Sequence, residues 1–141
     1  MANLPLDFDR LGARIDNATL LNAAGVKLMF STHDSVLESH GAYLVRQIAG
    51  NAVAYGLPHE AALAAITRIP AEAFGLEDQF GSLAPGKKAD LVIWSGDPLE
   101  LLSNAEIVIV GGQVMSMTTR ATRLRDRYRD LDPDLPHVYR K

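Results

Sequence analysis

The hydrophobic and polar positions of this chain predict helices in its first eighty residues and strands after them. Four segments carry apolar side chains at helical spacing: 11–24, 40–54, 58–66 and 70–75. Gly25 and Gly56 directly follow two of these segments, where a left-handed residue ends a helix. Pro58 and Pro70 suit the first position of a helix, because a missing N–H has no consequence there. The connections between these helices are short, so no flexible linker is predicted before residue 80.

Between the first two helices lies a short apolar run over 26–30 that is typical of a buried strand. The polar cluster STHDS follows it at 31–35. A helix, a glycine turn, a strand and a polar cluster make one αβ unit. In parallel α/β folds, ligands bind at the carboxyl ends of the strands. The pattern therefore predicts a mixed α/β fold with a candidate site at 31–35.

From Gly81 onward the chain is rich in turns and strands. Pro85 and Gly86 suit the centre of a type II turn, since glycine accepts the positive φ that this turn requires. Three runs of strand character follow: 89–94, 107–110 and 113–116. Gly111 and Gly112 separate the last two, which predicts a hairpin with a two-residue turn. We expect Asp90 to accept hydrogen bonds from turn amides beside Lys87 and Lys88.

The last segment, 119–131, is predicted to be a surface helix with Leu124, Tyr128 and Leu131 facing inward. Its arginines are interpreted as a solvated helix face, and contact with phosphates is the alternative. They are Arg120, Arg123, Arg125, Arg127 and Arg129.

Composition and charge limit the classes of protein to which this chain can belong. The chain has 141 residues, 48% hydrophobic and 22% charged, which suits a single globular domain. It has no cysteine, so disulfides, cysteine zinc sites and a thiol nucleophile are excluded. Residues 1–116 carry 7 basic and 13 acidic side chains, whereas 117–141 carry 7 basic and 4 acidic. The acidic body argues against a nucleic-acid partner. The short apolar runs argue against a membrane partner, and we expect a cytoplasmic location.

One long stretch resembles a known family. Residues 67–94, TRIPAEAFGLEDQFGSLAPGKKADLVIW, resemble the C-terminal signature of the metal-dependent amidohydrolase superfamily, with T-x-x-P-A followed by G-L and G-x-L-x-P-G-K-x-A-D-L-V. The hairpin 108–115 resembles the next family element, and STHDS resembles the T-D-S at the end of the eighth barrel strand. The branch of imidazolonepropionase and related cyclic-amide or dipeptide hydrolases is nearest.

The resemblance implies a fold and a division of the chain. We expect the last βα unit of a (β/α)8 barrel in 1–80, strands of the accompanying β-sandwich in 81–118, and a C-terminal helix and tail in 119–141. The four histidines are His33, His40, His59 and His137, and no two are spaced as H-x-H. Because the family uses such a pair as metal ligands, we expect this chain to be a C-terminal portion that is inactive by itself.

The resemblance also implies chemical roles for individual residues. It implies that Asp34 binds a divalent metal, zinc by expectation, and takes a proton from the water that attacks the amide carbon. The alternative is that Asp34 only caps the following helix or turn. His33 is a candidate substrate contact, and it points away from Asp34 if the strand continues. His40 and His59 are expected to be surface or packing residues. A small amide, cyclic amide or dipeptide would be the substrate of the complete enzyme.

A different class of function stays open. The chain could be a non-catalytic structural module that associates with itself and binds no specific ligand. One acidic ligand is too few for a catalytic zinc, so we expect no tightly bound metal in this chain alone. We also expect a homo-oligomer formed through exposed strands, because four helices are too few to cover all the apolar strand surface.

Overall fold

The structure is a computed structural model, and it describes residues 12–32 and 41–129. Its helices are α1 (Asn17–Ala23), a 3₁₀ turn (Gly41–Leu44), α2 (Val45–Ala54), α3 (His59–Ala65), α4 (Arg68–Ala73) and α5 (Arg120–Arg129). Its strands are β1 (Leu91–Trp94), β2 (Ala105–Val110) and β3 (Gln113–Val114). Within these ranges, α1 to α4 precede the three strands and α5 follows them, as the hydrophobic pattern predicts.

The helix boundaries agree with the predicted ones to within a few residues, with three corrections. The first is that Pro58 is the N-cap residue of α3 and not its first helical residue. Gly25 and Gly56 have φ of +80° and +98°, which confirms their role after helix ends. Helix α1 is shorter than predicted and begins at Asn17. Helix α4 begins at Arg68, so Pro70 lies inside its first turn. Proline is tolerated there because the first N–H groups of a helix have no partner within it.

The strand predicted over 26–30 is not formed. This segment has no regular secondary structure and joins no sheet within the described residues. The Phe30 N–H instead donates to the carbonyl oxygen of Ala65, at 3.4 Å. Leu28 and Phe30 pack against the helical core, whereas Val26 and Met29 are 46% and 48% exposed. An apolar run indicates that a segment prefers strand conformation. A strand forms in a sheet only where a second strand is available for hydrogen bonding.

The sheet is antiparallel, with strand order β1-β2-β3. Gly111 and Gly112 have φ of +58° and +80°, which confirms the predicted two-residue hairpin turn. The Asp90 Oδ1 atom accepts a hydrogen bond from the Gly111 N–H at 2.6 Å, so a structural role is confirmed. The amide belongs to the hairpin turn and not to the turn beside Lys87 and Lys88. Gly86, at φ +88°, confirms the predicted positive φ in the turn after Pro85.

The core is small and built largely of alanine. Its central cluster is Ala49, Leu57, Ala62 and Leu99. Leu99 comes from the loop between β1 and β2, so this loop packs on the pair formed by α2 and α3. The sheet keeps apolar side chains exposed, as the sequence predicts: Val92 is 39%, Ile107 38% and Val114 71% exposed.

The exposure of side chains on helix α5 differs from the prediction. Leu124 and Tyr128, predicted to face inward, are each 40% exposed, and the helix has no buried residue. Leu131 lies outside the described residues. The apolar spacing is that of a packed helix, but within the described residues neither of these two side chains is buried. The described residues contain no helix that is both long and apolar enough to cross a membrane.

Candidate functional site

The predicted site follows segment 26–32, which has no regular secondary structure. Asp34, His33 and His40 fall in 33–40, outside the described residues. The residues on either side of this stretch meet: a Cβ placed on Gly41 would lie 3.2 Å from both the Cβ and the Oγ1 of Thr32. Thr32 and Gly41 therefore lie close together.

Several contacts fix the segment that leads to Thr32. Lys27 Nζ lies 2.8 Å from Glu72 Oε2, and Arg68 pairs with the other oxygen of the same carboxylate. Hydrogen bonds from Lys27 and Arg68 lower the pKa of Glu72. Together with the bond from Phe30 to Ala65, these contacts attach the segment to α3 and α4. The start of the candidate site is thus held by two helices.

A second polar cluster joins α2 to the loop between β1 and β2. One guanidinium nitrogen of Arg46 donates to the carbonyl oxygens of Pro98 (3.0 Å), Glu100 (2.7 Å) and Ser103 (3.3 Å). The guanidinium also lies 4.6 Å from the ring centroid of Trp94, in cation–π geometry. Arg46 therefore satisfies carbonyls of a tight loop that strands and helices leave unpaired.

His59, the first residue of α3, and Asp97 make a second polar contact between the helices and the loop that joins β1 to β2. His59 Nε2 lies 2.9 Å from each carboxylate oxygen of Asp97, and Asp97 Oδ1 also accepts the Leu99 N–H at 2.8 Å. The hydrogen bond from His59, followed by that from Leu99, lowers the pKa of Asp97. His59 is a surface residue, as predicted, with its side chain 43% exposed. Its partner was not predicted, because the two residues lie 38 positions apart.

A groove of about 430 Å³ lies beside these contacts, between α2 and residues 97–101. Its lining includes Tyr43, Gln47, Asn51, Leu99, Glu100 and Leu101. The side chains of Gln47, Asn51 and Glu100 have no hydrogen-bond partner among the residues that the structure describes. The groove therefore combines apolar walls with free amide groups and a carboxylate.

We expect acid to weaken the fold through Asp97. Because its pKa in the folded chain is below the ordinary 3.8, its stabilising contribution is complete above that value. The contribution is lost as pH falls through the lower, folded-state pKa. Thermal unfolding followed by circular dichroism should show a smaller loss of Tm between pH 6 and pH 3 in Asp97→Asn than in the parent chain. The matched variant Asp78→Asn, which changes an exposed carboxylate, should keep the parent pH dependence; equal losses in all three chains would contradict the assignment.

Metal ligands do not cluster in the described ranges. Among residues 12–32 and 41–129, no three histidine, aspartate or glutamate side chains come close enough together to hold a metal ion. The candidate ligand Asp34 is not among them.

Comparison with solved structures identifies the fold. The chain superposes on an amidohydrolase from Thermotoga maritima with a TM-score of 0.71 and 30% sequence identity. The superposition covers 80% of this chain and 29% of the other. The fold is therefore an α/β fold of the amidohydrolase type.

Sequence comparison gives the family. The Amidohydrolase family profile matches residues 2–118, and the chain belongs to this family. An imidazolonepropionase from Rhizorhabdus wittichii is 36% identical over 83 residues, 58% of this chain and 21% of that protein. An adenine deaminase from Rhizobium johnstonii is 28% identical over 137 residues, 86% of this chain and 23% of that protein. The chain thus spans about a fifth of the length of these two relatives.

Proposed function

We propose that this chain is the part of an amidohydrolase that supplies Asp34 as a metal ligand and general base for hydrolysis of a C–N bond. The observation that carries this proposal is the family match over 2–118. The matched range contains STHDS and, after it, the G-x-L-x-P-G-K-x-A-D-L-V stretch. The relatives named for imidazolonepropionate hydrolysis and adenine deamination support a small substrate with a ring or amide C–N bond.

The geometry around Thr32 supports the role of Asp34. Thr32 ends a segment tied to α3 and α4, and Asp34 follows two residues later. A carboxylate in this position can bind a cation through one oxygen and accept a proton with the other. The proton it accepts comes from the attacking water and passes to the leaving nitrogen as the C–N bond breaks. His33 is assigned to substrate contact in the same stretch.

The donor chemistry of Asp34 fits zinc, for which carboxylate oxygen is a usual ligand. Zinc would supply Lewis-acid activation of the water and of the scissile carbonyl. A catalytic zinc has about three protein ligands, so we place the others in further segments of the enzyme. This chain alone is then inactive and binds no metal tightly.

We further propose that in the complete enzyme segment 26–30 pairs with a neighbouring segment as the last strand of a barrel, and that β1–β3 belong to the accompanying β-sandwich. The exposed edge residues Val26 and Met29 support the first assignment, because a pairing neighbour would cover them. The exposed Val92, Ile107 and Val114 support the second. The parts would be 1–80, 81–118 and 119–141, in a cytoplasmic enzyme.

The same exposed apolar surface favours a second candidate function, a non-catalytic module that associates with itself through its strands. Leu83 and Leu102 are 82% and 89% exposed, which adds to the surface that association could bury. The hydrolase proposal accounts for the sequence motifs as well, and we therefore favour it.

A chimera tests the hydrolase proposal. We would replace the corresponding segment of the Rhizorhabdus wittichii imidazolonepropionase with residues 26–118 of this chain and assay hydrolysis of imidazolonepropionate. The chimera should hydrolyse the substrate, because this chain supplies the ligand and base that the replaced segment carried, whereas this chain alone should not. A folded, metal-loaded chimera without activity would contradict the proposal.

A further inference from the structure

Helix α5 lies outside the family match, which ends at residue 118, and its surface is rich in arginine. Its ten residues, RATRLRDRYR, include five arginines and one aspartate, a net charge of +4. At 100° per residue, Arg120, Arg123 and Arg127 fall within about 60° of one another. Leu124 and Tyr128 form an apolar stripe beside them. The helix thus presents a basic face and an apolar face together, and it buries neither.

The groove between α2 and 97–101 is lined by two carboxylate residues, Asp97 and Glu100, and by one arginine, Arg46. Its walls include Leu99 and Leu101, and Tyr43 stands beside them, 76% exposed. The Glu100 carboxylate lines the groove and has no ion-pair partner in the described ranges. The only cation of α2, Arg46, is occupied with three carbonyls and Trp94. Glu100 is therefore available to a cation from outside.

Charge along the chain indicates where such a cation comes from. Residues 1–116 carry a net charge of −6, whereas α5 carries +4. A long polyanion such as nucleic acid would meet the acidic body as well as α5, which opposes its binding. A second copy of this chain offers α5 a partly apolar groove with one carboxylate, that of Glu100, which has no ion-pair partner in the described ranges, and it offers its own α5 in return.

We propose that α5 of one copy docks in the groove of a second copy. Arg123 approaches Glu100 of the other copy, while Leu124 and Tyr128 contact the apolar walls beside Leu99 and Leu101. Exchange of the two helices gives a two-fold pair with two equal contacts. The contact is electrostatic in part and is weakened by salt.

Sedimentation equilibrium on the full chain tests this docking. At 50 mM NaCl we expect the average mass to rise with concentration, and at 500 mM NaCl we expect association to weaken at least about tenfold. Arg123→Glu and Glu100→Arg should each weaken association by about tenfold or more. The double variant with both changes should recover much of the parent association, because the charges are then exchanged. Glu77→Arg reverses an exposed charge elsewhere and should associate as the parent chain does.

Four results would overturn the docking. The first is a parent chain that stays monomeric at low salt, even if it binds anionic vesicles or RNA. The second is association that salt does not change, which would instead indicate pairing of exposed strands. The third is single variants that associate like the parent, and the fourth is a double variant that recovers nothing. Circular dichroism of each variant confirms that a loss of association is not a loss of fold. None of these results depends on hydrolytic activity.

Discussion

Asp34→Asn in the chimera should lower kcat for imidazolonepropionate hydrolysis by at least about 10³-fold, with a smaller change in KM. General-base catalysis contributes on the order of 10²–10⁴-fold, and the loss of a metal ligand adds to it. Asparagine keeps the size of the side chain but cannot accept the proton. Steady-state kinetics with a matched zinc determination would separate the loss of the base from the loss of the metal.

The control for this variant is Asp78→Asn, which removes an exposed carboxylate outside the candidate site. It should keep the kcat of the unmodified chimera. If Asp34→Asn retained more than about a tenth of the activity, Asp34 would be a capping residue and not the base, because loss of a general base costs on the order of 10²-fold or more.

Gly50→Ala should destabilise the chain by about 2–3 kcal/mol. Helix propensity alone predicts the opposite sign, since alanine is favoured over glycine in a helix by about 1 kcal/mol. A Cβ on Gly50 would lie only 2.3 Å from the carbonyl oxygen of Leu99. The loop that carries Leu99 would have to move away from α2, disturbing the carbonyls that Arg46 binds.

Urea unfolding followed by the fluorescence of Trp94, the single tryptophan, measures this loss. Gly12→Ala serves as the control, because a Cβ there meets nothing within 4 Å. Its unfolding midpoint should stay close to that of the parent chain. A Gly50→Ala chain as stable as the parent would show that the loop does not pack so closely on α2.

Local features of the fold were predictable from the sequence because their causes are local. Gly25 and Gly56 end helices through their own backbone freedom, and the hairpin at Gly111 and Gly112 follows from adjacent residues. The resemblance of residues 67–94 to the amidohydrolase signature likewise depends on residues that are contiguous in sequence. The family match over 2–118 confirms that identification.

Features that depend on distant partners were not predictable. Arg46 binds carbonyls 52 to 57 positions away, and His59 meets Asp97 across 38 positions. No local spacing marks such pairs. The strand expected over 26–30 has no neighbouring strand within the described residues. The apolar stripe of α5 is likewise not buried within those residues. In both cases the pattern gave the preference of the segment but not its partner.

The content of bound zinc tests the central claim most directly: this chain contributes one ligand, Asp34, to a centre that other segments complete. After equilibration with zinc and gel filtration, elemental analysis should find far less than one zinc per molecule in this chain alone. The chimera should hold at least one zinc, and Asp34→Asn should lower that content. A stoichiometric zinc in this chain by itself, with turnover of an amide substrate, would contradict the account.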